Sequence, residues 1–115
     1  MRNDCIFCAI VDGSLPSTII YSDDDVIAFR DVNPQAPVHV LVIPREHIAS
    51  AAELTPAQDG LWAHLLHIAQ KIAVDEGLDE QGYRLVTNIG TGGGQTVSHL
   101  HLHLLGGRFM AWPPG

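Results

Sequence analysis

Histidine and leucine alternate near the end of this chain, in His99-Leu100-His101-Leu102-His103-Leu104-Leu105. A period of two is that of a β-strand with one apolar face. It predicts all three imidazoles on the other face, at steps of roughly 6.6–6.8 Å. Other segments have their own periods. Residues 4–12 predict one or two helical turns, with Asp4 as N-cap and Gly13 as stop. Residues 18–21 and 26–30 flank the polar turn Ser22-Asp23-Asp24-Asp25 and predict a hairpin. Residues 31–37 contain Pro34 and Pro37 and predict a loop. His39-Val40-Leu41-Val42-Ile43 predicts a central strand ended by Pro44.

Thr55-Pro56 is a helix start, with threonine as N-cap and proline at the first helical position. Leu61, Leu65, Ile68, Ala69, Ile72 and Ala73 then recur at helical spacing, and Gly77 fits the stop. Residues 83–88 predict a further strand, followed by a glycine-rich loop at 90–95 and the histidine strand. Gly106-Gly107 ends that strand, and an apolar tail with Trp112-Pro113-Pro114 follows. Strands around one long helix, with few crossovers, predict an antiparallel α+β fold in a single domain over residues 1–115.

Composition narrows the function. Of 115 residues, 46% are hydrophobic, enough for a real core. The formal net charge of −7 removes the diffuse basic footprint that DNA or RNA requires, yet permits a single nucleotide in a local site. No apolar run approaches membrane-spanning length. The first twelve residues lack a signal-peptide pattern, so a cytoplasmic location is expected, with Cys5 and Cys8 reduced.

Imidazole titrates near neutrality and can serve as nucleophile, acid, base or metal ligand. Two chemistries fit three histidines on one face. One is a catalytic zinc site built from His-x-His with an open coordination position. The other is covalent catalysis at phosphorus, with His101 attacking while His103 and His39 stabilise charge. Glycines let backbone approach a ligand closely, and successive N–H groups can cradle an anion. The loop from Gly90 to Gln95, followed by Thr96 and Ser98, therefore favours phosphorus chemistry. It enters a strand, so it is neither a dinucleotide fingerprint nor a P-loop.

Cys5-x-x-Cys8 has the spacing of two thiolates on one zinc, with His47 and His99 as candidate further ligands. A redox pair and two plain core cysteines remain as alternatives. His39 can face the site or cap a strand, and Asp31 can hold ribose hydroxyls or make an Asx turn. His64 and His67 are expected on a solvated helix face.

These residues together resemble the histidine triad (HIT) superfamily, whose signature has the form His-φ-His-φ-His-φ-φ. Residues 93–98 and Gly106-Gly107-Arg108 resemble its histidine triad nucleotide-binding branch. So do residues 31–39 and the ending Trp112-Pro113-Pro114-Gly115. The resemblance spans nearly the whole chain, from Cys5 onward. It implies a five-stranded antiparallel sheet with one long and one short helix, and a homodimer with one continuous ten-stranded sheet. It implies binding of purine nucleoside monophosphates and hydrolysis of nucleoside phosphoramidates and acyl-adenylates.

By position, His101 would be the nucleophile, with His103 and His39 supporting the phosphate and charge relay. Asp31 would hold the ribose, and Ile27 and Phe29 would line the base pocket. Asn88, Gly94 and Thr96 would contact the phosphate and leaving group, with Gln95 on the same loop. Trp112 would reach the partner subunit's site. Relatives often carry serine where Thr96 stands, and either residue supplies a hydroxyl. Transferase relatives have glutamine in place of His103, so the histidine resembles the hydrolase branches. Cys5, Cys8, His47 and His99 match the structural zinc set of some bacterial relatives. A non-catalytic purine-nucleotide regulator and a dinucleoside polyphosphate hydrolase remain alternatives.

Overall fold

A computed structural model describes residues 4–115. Its elements in chain order are α1 (Ile6–Asp12), β1 (Ile19–Ser22), β2 (Val26–Arg30) and β3 (Val38–Pro44), then α2 (Asp59–Asp75), β4 (Tyr83–Val86) and β5 (Leu102–Gly106). The five strands form one antiparallel sheet in the order β1-β2-β3-β5-β4. The α+β architecture expected from the sequence is therefore present, with one long and one short helix.

Alternation sorts the sheet's side chains onto two faces. Val26, Ala28, Val40, Val42, Leu102 and Leu104 pack against Leu65, Ile68, Ala69, Ile72 and Ala73 of α2. Ile27, Phe29, Leu41 and Ile43 point the other way and pack with Cys5, Phe7, Cys8 and Ile10 at α1. Burying a large aliphatic in such a core contributes roughly 1.5–3 kcal/mol. The short helix is held by its contact with the sheet, being too short to persist alone.

Several element ends differ from the sequence reading. Cys5, not Asp4, caps α1: its Sγ accepts from the Cys8 N–H at 3.3 Å. Gly13 closes the helix as expected, at φ 83°, where a left-handed residue is needed. A short 3₁₀ turn over Pro56–Gln58 precedes α2, with the Gln58 side chain accepting from the Thr55 N–H. Strand β4 ends at Val86, because Thr87 turns its hydroxyl to the His101 carbonyl at 2.9 Å.

The largest difference is in the triad. Regular strand begins only at Leu102, so His99 and His101 lie before it. The register pairs Val42 with Leu102, which would put Pro44 opposite Leu100. Proline has no N–H to give, so the ladder stops there. The His99 ring takes the free Pro44 carbonyl at 2.9 Å, and the Leu100 N–H bonds instead to Ile48.

Candidate active site and metal cluster

Strand register orders the site. Phe29, Leu41, His103 and Val86 form one row across four strands, and His39, Leu105 and Arg84 form the next row across three. Both rows lie on the face opposite α2. A cleft of about 670 Å³ opens over them, bounded by α1, the loop after β2 and the stretch before β5. Phe29, Asp31, His39, Thr96, His101 and His103 line it. Phe7 was not singled out in the sequence, yet it stands edge-on to Phe29 at 5.4 Å and to His101 at 5.2 Å. Its signal was apolar residues three and four positions apart, with Ile6 and Phe7 each one helical turn before Ile10.

Hydrogen bonds fix where each imidazole carries its proton. His101 Nδ1 lies 2.7 Å from the His99 carbonyl, which can only accept, so the Nδ1–H donates and Nε2 keeps its lone pair. The Gln35 N–H donates to His39 Nδ1 at 3.0 Å, so the proton of His39 sits on Nε2. That Nε2–H donates to His103 Nδ1 at 2.9 Å, which leaves a proton on His103 Nε2. Asp31 Oδ2 stands 3.5 Å from His39 Nε2. The rings of His101 and His103 are 4.9 Å apart. The cleft thus holds one imidazole with a free Nε2 lone pair beside one with an Nε2–H.

Burial disfavours charge on two of these imidazoles, His103 and His39. It pushes the His103 imidazole down to about 4, helped by the charges His101 and His39 could carry and opposed by Asp31. Burial also lowers His39, again opposed by Asp31.

His99 has a different task. Its Nδ1 lies 3.4 Å from Cys5 Sγ and 3.6 Å from Cys8 Sγ, and Cys8 Sγ lies 3.2 Å from His47 Nδ1. All four ligand atoms fall within 4.8 Å of one another. A tetrahedral zinc with bonds of about 2.3 Å to sulfur and 2.0 Å to nitrogen sets S···N edges of about 3.5 Å. The donor set fits. The bond from Nε2–H to the Pro44 carbonyl leaves Nδ1 of His99 as the free ligand atom, the usual outer partner of a metal-bound histidine. The cysteines are unbridged. A catalytic zinc on the three triad histidines does not fit, because His99 Nδ1 faces the cysteines and His101 Nδ1 is committed to a carbonyl.

Other expected site residues scatter. Ile27 is buried beneath the cleft in the α1-side core and does not line it. Gln95 is a loop staple: its Oε1 accepts from the Gly90 N–H and its Nε2 donates to the carbonyls of Ala49 and Val97. Asn88 donates to the Gly93 carbonyl at 2.7 Å and borders a smaller hollow beside His103. Gly94 takes φ 80° next to that amide, which a side chain would strain. Trp112 is exposed and touches no part of this chain's cleft. His64 is not simply solvated, since it meets Asp23 at 2.7 Å and ties α2 to the β1–β2 turn. Burial raises the Asp23 carboxyl, but bonds from Tyr21, His64 and two backbone amides outweigh it and hold it well below its usual range.

The HIT domain family matches residues 12–110 of the chain. The chain belongs to that family. An uncharacterised HIT-like protein of Synechococcus elongatus is 56% identical over 115 residues, covering 100% of both chains. The 14 kDa zinc-binding protein of Zea mays is 47% identical over 112 residues, covering 96% of this chain and 87% of its own. Among solved structures, a HIT family hydrolase from Legionella pneumophila superposes with a TM-score of 0.96 at 52% identity, covering 97% of this chain and 100% of its own. Among the described residues of this HIT protein, no helix is long and apolar enough to cross a membrane.

Proposed function

We propose that this HIT protein is a nucleotide-binding hydrolase that cleaves the P–N bond of purine nucleoside phosphoramidates and the mixed anhydride of related acyl-adenylates. The observation that carries this reading is the opposite proton loading of His101 and His103 in one cleft. The apolar wall of Phe7, Phe29 and Leu41 accepts a purine ring, and the Asp31 carboxylate accepts hydrogen bonds from ribose hydroxyls. The phosphate then meets the histidines. His103 Nε2–H donates to a phosphate oxygen, and His101 Nε2 attacks phosphorus. The P–N bond breaks, and the nitrogen leaves as an amine after taking a proton from solvent, relayed by the Thr96 hydroxyl. Water then attacks the nucleotidyl-His101, loses its proton to solvent, and releases the nucleoside monophosphate with His101 restored.

Zinc is the proposed occupant of Cys5, Cys8, His47 and His99, supported by the geometry of the donor set and by the maize relative's name. Bound there, it would cross-link α1 to the triad and supply no reactive water. The exposed apolar tail at Phe109 and Trp112 supports the proposed homodimer, in which Trp112 reaches the partner's cleft.

Hydrolysis of an adenosine phosphoramidate by the His101→Gly variant tests the mechanism. The expected loss in kcat is about 10³-fold or more. A variant as fast as the parent would overturn it.

A further inference from the structure

Beyond the histidines, the same sheet face carries a second hollow of about 300 Å³, which meets the cleft at Gln35, His39 and His103. Arg84, Asn88 and Arg108 line its far side, and no carboxylate lines it at all. This is unusual in a chain with 13 acidic and 6 basic side chains. Arg30 is gripped by Glu76, and Lys71 by Asp75. Arg45 lines a hollow with Asp24, Asp25 and Glu46. Among the described residues, no carboxylate pairs with Arg84 or Arg108.

Both guanidiniums are nonetheless held in place. Arg84 Nη2 donates to the carbonyls of Met110 and Ala111, and Arg108 donates from Nε to Gln35 and from Nη1 to Phe109. Each arginine thus uses two of its five N–H groups and keeps three. Register sets the distance: His39, Leu105 and Arg84 lie side by side on successive strands. Two strand spacings put Arg84 roughly 10 Å from His39 on the catalytic face. With the nucleoside against Phe29 and Asp31, and phosphorus at His101 and His103, this hollow lies on the side away from the nucleoside.

We propose that Arg84 and Arg108 form a subsite for an anionic group on the leaving side of the substrate, a carboxylate or a further phosphate. The assignment rests on the phosphoramidase reading for the placement of phosphorus, and it names the substrate class: nucleotides whose leaving group is itself negative. In the phosphoramidate of an α-amino acid, the carboxyl carbon is three bonds from phosphorus, within reach of a guanidinium held there. Arginine suits this task because its planar fork matches carboxylate and phosphate oxygens.

Two ratios test the subsite. The first compares kcat/KM for the adenosine phosphoramidate of an amino acid with that of the same amino acid as its carboxamide. The second compares the calorimetric affinities of ADP and AMP, which require no turnover. The parent is expected to favour the anionic member of at least one pair roughly ten-fold. Preference for the carboxylate alone or for the β-phosphate alone supports the subsite and identifies the anion. In the Arg84→Gln/Arg108→Gln double variant the preference should fall to about one, while Arg84→Lys/Arg108→Lys retains part of it. Ratios near one in the parent, or a preference unchanged in the glutamine variant, overturn the proposal. Absence of hydrolysis with an intact ADP preference would instead defeat the phosphoramidase reading and leave the subsite standing.

Discussion

His99 presents its backbone oxygen to His101 Nδ1 at 2.7 Å while its own ring turns to Cys5 and Cys8. One residue therefore both joins the metal cluster and sets the proton position of the proposed nucleophile. Phe7, carried between the two cysteines, touches both rings. Metal analysis of the folded protein is expected to give about one zinc per chain. Stripping it with a strong chelator should lower the Tm by roughly 10 °C. The activity lost should return with zinc. A preparation that binds no zinc but melts at the same temperature would refute the cluster's role.

The His39–His103 bond predicts a graded mutant series. His39→Ala removes the donor that fixes the His103 proton, and kcat/KM for a phosphoramidate should fall about 10²-fold. His39→Gln keeps an N–H near the position of Nε2 and should recover part of the loss. Equal losses in both variants would mean that shape, not the donated proton, is what His39 supplies.

Acid should destabilise the fold through His103. Its imidazole sits at about 4 in the folded chain against an ordinary 6.5. Between those values the unfolded chain binds a proton that the folded chain excludes, so stability is full above about pH 6.5 and declines as pH falls towards 4. Urea unfolding of the parent and of His103→Gln across this window checks it. The variant should show the shallower decline, by at most about 1.4 kcal/mol per pH unit for one proton. The part His103 plays in activity should hold through this window and fade only as pH approaches about 4, where a protonated His103 can no longer accept from His39.

Packing predicts a cost on the opposite face. Leu104 is fully buried against α2. Leu104→Ala should cost about 2–5 kcal/mol by denaturant titration. Its neighbour Leu105 is half-buried on the histidine face and should cost less. Equal costs would contradict the assignment of the two faces.

Light scattering should give a particle twice the 12.4 kDa chain mass. Trp112→Ala should raise KM without altering the His101 chemistry, as expected of a residue completing the partner's cleft. A monomer with parental kinetics would remove Trp112 from the site.

Local signals made much of this legible. Strand β2 was readable to the residue, since Val26 and Arg30 are bounded by a polar turn and a proline loop. The helix face from Leu65 to Ala73 was readable because helical spacing reports burial directly. The Cys5, Cys8, His47 and His99 set was nameable through resemblance, but its closeness depends on contacts up to 94 residues apart. Other features were invisible for the same reason. Nothing near His64 announces Asp23, 41 residues away. Ile27 and Phe29 look alike in sequence, yet only Phe29 reaches the cleft. Arg84 gave no signal until the sheet order set it beside Leu105 and His39.

Pro44 has a consequence that reaches past the end of its strand. An N–H at that position could extend the ladder toward Leu100 and draw the triad into regular sheet. The His99 carbonyl lies in the stretch that this proline leaves outside the ladder, and there it meets the His101 ring. A residue that lines no part of the cleft thus bears on where the proposed nucleophile keeps its proton, by lacking one hydrogen.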